Sequence, residues 1–206
     1  MKSFNKPSNL LQKIEEAARI VKRGGVIVYP TDTVYGIGCN PFDVKAVQRV
    51  MEIKRRENKP SPVLISDLDQ LNMVATPHII EIEAALKLWP GPVTIVMEKK
   101  PNLPREVTAG QLTVGVRMPA NAIALAVMQK AGLPLLGTSA NISGMEPAVT
   151  AEQVDEKVAR NVDMVIDGGR TLFEKPSTVV RLTEGGLAIV REGVLSERQI
   201  RSRLYG

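Results

Sequence analysis

From Asn9 to Arg23, apolar residues recur at helical spacing, with Leu10, Leu11, Ile14, Ala17, Ala18 and Val21 on one side. Ser8 can cap this helix, and Gly24-Gly25 end it. Val26 to Tyr29 is a short apolar run, the pattern of a buried strand. Pro30 to Gly38 then reads as a polar loop rich in Thr and Gly. Asp43 can cap a second helix that carries Val44, Val47, Val50 and Met51 on one side and runs into Lys54-Arg55-Arg56.

Farther on, the pattern predicts strands over Pro62 to Ser66, Val93 to Met97, Thr113 to Arg117, Leu133 to Leu136 and Val162 to Ile166. It predicts helices over Ile79 to Trp89, Asn121 to Lys130, Ala151 to Asn161 and Ser196 to Leu204. Pro90-Gly91-Pro92 stop the first of these, and Gly132 ends the second. Thr178 to Leu182 and Leu187 to Val190 can pair across a turn at Glu184-Gly185-Gly186. Helices and strands mix without strict β-α-β alternation, so the expected fold is an α+β domain with a mixed, twisted sheet. With no internal repeat or long linker in its 206 residues, the chain reads as one domain, 1–206.

Composition narrows the function. Hydrophobic residues make up 44%, enough to bury a core without staples. No apolar run reaches the length of a membrane span, and the N-terminus turns acidic where a signal peptide needs its apolar stretch. The lone Cys39 excludes an internal disulfide framework and suits a reducing compartment, so a cytoplasmic location is expected. With Cys39 and His78 the only residues of their types, a zinc site and a Ser-His-Asp arrangement are both disfavoured. A net charge of +5 favours anionic partners, or serves only solubility. Aromatics at 3% are too few for a base-stacking platform, so the charge reads as phosphate handling.

Three polar segments can carry chemistry. Pro30-Thr31-Asp32-Thr33-Val34-Tyr35-Gly36 follows a buried strand, and its hydroxyls can meet a small substrate or merely satisfy their own turn. Lys54-Arg55-Arg56 with Lys59 puts four cations within six positions, which suits a triphosphate or a solvated helix end. Gly137-Thr138-Ser139-Ala140-Asn141-Ile142-Ser143-Gly144 follows a strand and lets a ligand approach the backbone, unless it is only a polar turn. Arg117 and Arg191 each end an apolar strand, either snorkelling or aimed at an anion, and Ser177 sits where another strand begins. There is no Walker-type phosphate loop and no dinucleotide fingerprint. Cys39 and His78 read as structural residues.

The segments PTDTVYGIG, KRRENKP, LWPGPVTIV, VGVRMP, TSANISG, KPSTVV and IVREG together resemble, in order, motifs of the YrdC family of threonylcarbamoyl-AMP synthases, from about Leu11 to Gly193. The resemblance implies an α/β twisted open sheet with a large basic concave groove. It implies that L-threonine, bicarbonate and ATP give threonylcarbamoyl-AMP and pyrophosphate, for the threonylcarbamoyl modification of tRNA. Thr33, Arg117 and Ser177 resemble threonine-site residues, and Lys54, Arg56, Thr113, Ser139, Asn141, Thr150 and Arg191 resemble nucleotide-site residues, with Lys59 beside them. Lys54, Arg56 and Arg191, with Mg²⁺, would neutralise phosphate charge, Lys54 and Arg56 acting catalytically. Expected partners are the substrates, a downstream tRNA threonylcarbamoyl transferase, and tRNA or double-stranded RNA in the basic groove.

Glu57 follows Arg56 where many family members carry Pro, and Lys59-Pro60-Ser61-Pro62-Val63 is similar to the YciO branch. Two other functions remain open: an RNA-binding module, and a sugar-phosphate enzyme of the dihydroxybutanone-phosphate synthase type. The latter leans on acidic metal ligands and a histidine, a set the sequence does not display.

Overall fold

A computed structural model describes residues 7–55, 59–183 and 185–206. The chain runs through α1 (Pro7–Lys22), β1 (Ile27–Tyr29), β2 (Gly36–Gly38), α2 (Val44–Lys54), β3 (Val63–Leu64), α3 (Leu68–Val74) and β4 (Ala75–Thr76). It continues through α4 (Ile79–Leu88), β5 (Val93–Lys99), α5 (Arg105–Thr108), β6 (Thr113–Arg117), α6 (Ala122–Ala131), β7 (Leu135–Leu136) and β8 (Thr138–Ser139). A 3-10 turn at Ala151–Gln153, α7 (Glu156–Ala159), β9 (Met164–Val165), β10 (Thr178–Thr183), β11 (Gly186–Arg191) and α8 (Glu197–Tyr205) complete it.

The mixed α/β architecture is as the pattern predicts, but the strands form two sheets. One has the order β8-β2-β1-β9, the other β11-β10-β5-β6-β3-β7 with β4 also on β5. Both sheets mix parallel and antiparallel pairs: β1 runs parallel to β9 and antiparallel to β2, and β5 runs parallel to β10 and antiparallel to β6. Two apolar clusters hold the layers together. The larger includes Val63, Val93, Ile95 and Val116 from the seven-stranded sheet, and the smaller joins Ile14, Ala17 and Val21 of α1 to Ala124, Val127 and Met128 of α6.

Local chemistry explains the element ends. Asn121 caps α6 by accepting from Ala124 N at 3.0 Å, and Gly132, at φ +63°, takes the left-handed turn that ends it. Asp43 caps α2 through Ala46 N at 3.1 Å. Its buried face, however, is Ala46, Val47, Val50 and Lys54, while the expected Val44 is exposed. The helix expected over 151–161 is broken: Asp155 caps a fresh start through Lys157 N at 2.8 Å. The loop expected over 30–38 ends in β2, and the strands expected over 62–66, 133–136 and 162–166 are each two residues long. The sequence pattern missed α3 and β4; α3 begins where Asp67 accepts from Gln70 N at 2.8 Å.

Candidate active site

One face of the seven-stranded sheet forms a cavity floor. Thr113, Gly115 and Arg117 alternate on β6 with the core residues Val114 and Val116, and all three line the cavity. Val96 of β5 stands opposite both Gly115 and Arg181, and Val179 stands opposite both Thr94 and Arg191. The segment from Thr31 to Gly36 and the strand pair β2–β8 wall the other side. The enclosed volume is about 460 Å³, within the range of small-ligand sites. Among the described residues, no carboxylate belongs to its lining.

At the enclosed end the polar groups are already joined to one another. Thr31 Oγ1 donates to Val34 O at 2.7 Å and lies 2.9 Å from Thr33 Oγ1. Thr31 thus spends its one proton on the backbone, so Thr33 is the donor between the two hydroxyls. Arg117 Nη1 donates to Asp32 Oδ1 at 2.9 Å, with side-chain exposures of 6% and 0%. Burial pulls the Arg117 pKa down, against the opposing charge of Asp32. The second carboxylate oxygen, Asp32 Oδ2, is buried with no partner. Ser177 Oγ lies 2.9 Å from Thr94 Oγ1. Tyr29, beneath Gly36, donates its hydroxyl to Leu136 O at 3.1 Å, and burial pushes its pKa up.

At the other end Arg191 reaches back, with Nη2 donating to Ser177 O at 2.8 Å. It keeps contact with solvent, yet the protein crowded around its charge, and then Arg117, draw its pKa down. Arg181 lines the same end and is exposed.

Six predicted residues therefore line one cavity: Thr33, Thr113, Arg117, Ser139, Ser177 and Arg191. Four others do not. Lys54 is 1% exposed, and its ammonium donates to Ser139 O and, at 2.7 Å, to Asn141 O, tying the end of α2 to the third motif. Asn141 turns its amide nitrogen to Ile142 O and Met145 O, leaving Oδ1 buried without a partner. Thr150 precedes the 3-10 turn, and exposed Lys59 borders a separate depression beside Glu52 and Arg105. Arg56 lies outside the described residues. Sequence reasoning missed Thr94, the pairing role of Asp32, and Arg181; the last carries a period-two signal, falling on the same strand face as Val179.

Cys39 is fully buried, and burial pushes its thiol pKa up, which suits packing and not attack. His78 is exposed at the start of α4, where its backbone N donates to Glu81 Oε2 at 2.7 Å. Among the described residues no group of three His, Cys, Asp or Glu could hold a metal, and no helix is long and apolar enough to cross a membrane.

Residues 19–193 match the Sua5/YciO/YrdC family model, whose description is "Telomere recombination". The chain belongs to this family. It is 38% identical to the threonylcarbamoyl-AMP synthase of Pyrococcus abyssi over 96% of its own length and 63% of that protein's. The crystal structure of P. abyssi Sua5 complexed with L-threonine superposes with a TM-score of 0.89 at 38% identity, covering 94% of this chain and 58% of that one. The crystal structure of E. coli YciO superposes at 0.82 with 31% identity, covering 92% and 93% of the two chains. This chain thus spans less than two thirds of the Pyrococcus synthase and nearly the whole of YciO.

Proposed function

We propose that this protein is a threonylcarbamoyl-AMP synthase. The observation that carries the proposal is the cavity itself: Arg117, Arg191 and the hydroxyls of Thr33, Thr113, Ser139 and Ser177 converge in it, and a relative 38% identical has been solved with L-threonine. Arg117, held by Asp32, takes the threonine carboxylate, with Thr33 and Ser177 beside it. Thr113, Ser139 and Arg191 face the nucleotide.

Threonine and bicarbonate first give a carbamate and water. A carbamate oxygen then attacks the α-phosphorus of ATP as pyrophosphate leaves. The protein supplies no nucleophile in this scheme; it orients the reactants and meets the charge that moves onto the phosphates. Among the described residues the cavity lining contains guanidiniums and hydroxyls but no carboxylate, so those residues do not themselves form a magnesium site. Mg²⁺ is proposed here only as the counter-ion that ATP brings with it. Lys54 belongs to this scheme as the residue that shapes the Ser139–Asn141 loop, and a role for Arg56, Asn141 and Thr150 at the nucleotide is retained as part of the proposal. Such an enzyme works in the cytoplasm, handing its product to a transferase acting on tRNA, and direct contact with tRNA through the basic groove is a further part of the proposal.

The test is pyrophosphate release with each substrate omitted in turn. Release should require ATP, L-threonine and bicarbonate together. An equal rate without threonine would overturn the assignment.

A further inference from the structure

We propose that Arg181 is a polyphosphate-binding residue, forming with Arg191 a pair of guanidiniums at the open end of the cavity. That its natural ligand is ATP rests on the synthase reading above; that it binds a polyphosphate does not.

Three observations carry this. First, the position is built in. On β10 the residues Thr178, Val180 and Leu182 are buried, which turns Val179 and Arg181 to the cavity face. Arg181 stands opposite Val96, and Val96 opposite Gly115, so the register sets Arg181 in line with the residues of the cavity floor. Second, among the described residues Arg181 has no protein partner. Arg19, Arg23, Arg49, Arg160, Arg170 and Arg201 each reach a carboxylate, whereas Arg181 makes no hydrogen bond or ion pair among the described residues. Third, the charge of the cavity is unbalanced. Asp32 already neutralises Arg117, and with no acid among the described residues of the lining, Arg181 and Arg191 leave two positive charges uncompensated there.

Two forks on neighbouring strands match a ligand that spreads several negative charges along a short chain. They also suit the reaction. As the carbamate oxygen bonds to the α-phosphorus, the bond from that phosphorus to its bridging oxygen breaks, and the electron pair leaves with pyrophosphate. Charge therefore grows on the leaving group, and a guanidinium already there stabilises it.

The experiment is calorimetric titration of the full chain with inorganic tripolyphosphate, then ATP, for wild type, Arg181→Ala, Arg181→Lys and Arg203→Ala. Arg203 is an exposed arginine on α8, outside the cavity, so its variant removes the same charge without touching the site. Arg181→Ala should weaken tripolyphosphate by about tenfold or more, Arg181→Lys should lose less, and Arg203→Ala should match wild type. The KM for threonine should not move in Arg181→Ala. If Arg181→Ala proves unstable, the folded Arg181→Lys decides, since a lysine cannot reproduce the fork. Equal affinities for the Arg181 and Arg203 variants, or a wild type that binds no tripolyphosphate, would overturn the proposal. Wild-type adenylate formation is assayed alongside. Arg181-dependent tripolyphosphate binding without adenylate formation would retain this site and discard the synthase reading.

Discussion

The two ends of the cavity are organised by opposite means. At the enclosed end every side chain that faces the ligand is held by another: Thr33 by Thr31, Arg117 by Asp32, Ser177 by Thr94. At the open end, among the described residues, Arg191 is tied only to Ser177, through its O and Oγ, and Arg181 is not tied at all. The first end is rigid and stable before any ligand arrives, because its charges are balanced inside the protein. The second keeps its electrostatic attraction unspent, and only an anion can satisfy it.

The largest test of this contrast removes Arg117. Its loss leaves Asp32 behind, fully buried and unpaired. Arg117→Ala should cost about 3–5 kcal/mol of stability and lower the melting temperature by about 6–20 °C for a domain of this size. The double variant Arg117→Ala/Asp32→Asn should recover part of that stability without recovering threonine use. Identical melting curves for the single and double variants would mean that the ion pair does not organise the enclosed end.

Next in size is the response to salt. Exposed charges are screened at about 8–10 Å in ordinary buffers, whereas buried pairs are not. The KM for ATP should therefore rise with ionic strength while that for threonine stays nearly flat. Arg191→Ala should weaken ATP use by roughly 1.5–3 kcal/mol and flatten its salt dependence. Parallel salt curves for the two substrates would erase the distinction between the ends.

The smallest effects are expected away from both ends. Cys39→Ala and His78→Ala should leave turnover nearly unchanged in the pyrophosphate assay. A loss beyond about a hundredfold, roughly 2.7 kcal/mol of transition-state stabilisation, with the fold intact, would mean that one of them takes part in the chemistry.

Much of this was legible in the chain, for identifiable reasons. The limits of α6 follow from Asn121 and Gly132, and the span of β6 from an apolar alternation ending on Arg117. Arg117 and Ser177 stand out because polar groups sit where buried strands end or begin, whereas Thr33 and Ser139 emerge from their polar segments through the family resemblance. The division into two sheets was not legible, because it depends on pairings such as Ile27 with Met164 that no local pattern encodes. The broken helix after Ala151 was hidden by a competing side-chain bond, Asp155 to Lys157 N. Lys54 is the instructive case. Its charge suggests a ligand, but its phase with Val47 and Val50 puts it on the buried face, where carbonyls receive it.

The parallel pairing of β5 with β10 also dictates an order of assembly on the ribosome. About 80 residues separate Lys99 from Thr178, roughly 4–16 s of synthesis at ~5–20 residues per second. During that interval β5 is complete while the neighbour that will cover its edge does not yet exist. An unpaired strand edge is a template for the wrong partner, and distant pairings of this kind are slow to close. Ser177, Arg181 and Arg191 all arrive with that late hairpin, so a nascent chain can hold much of its core while its cavity floor is still incomplete.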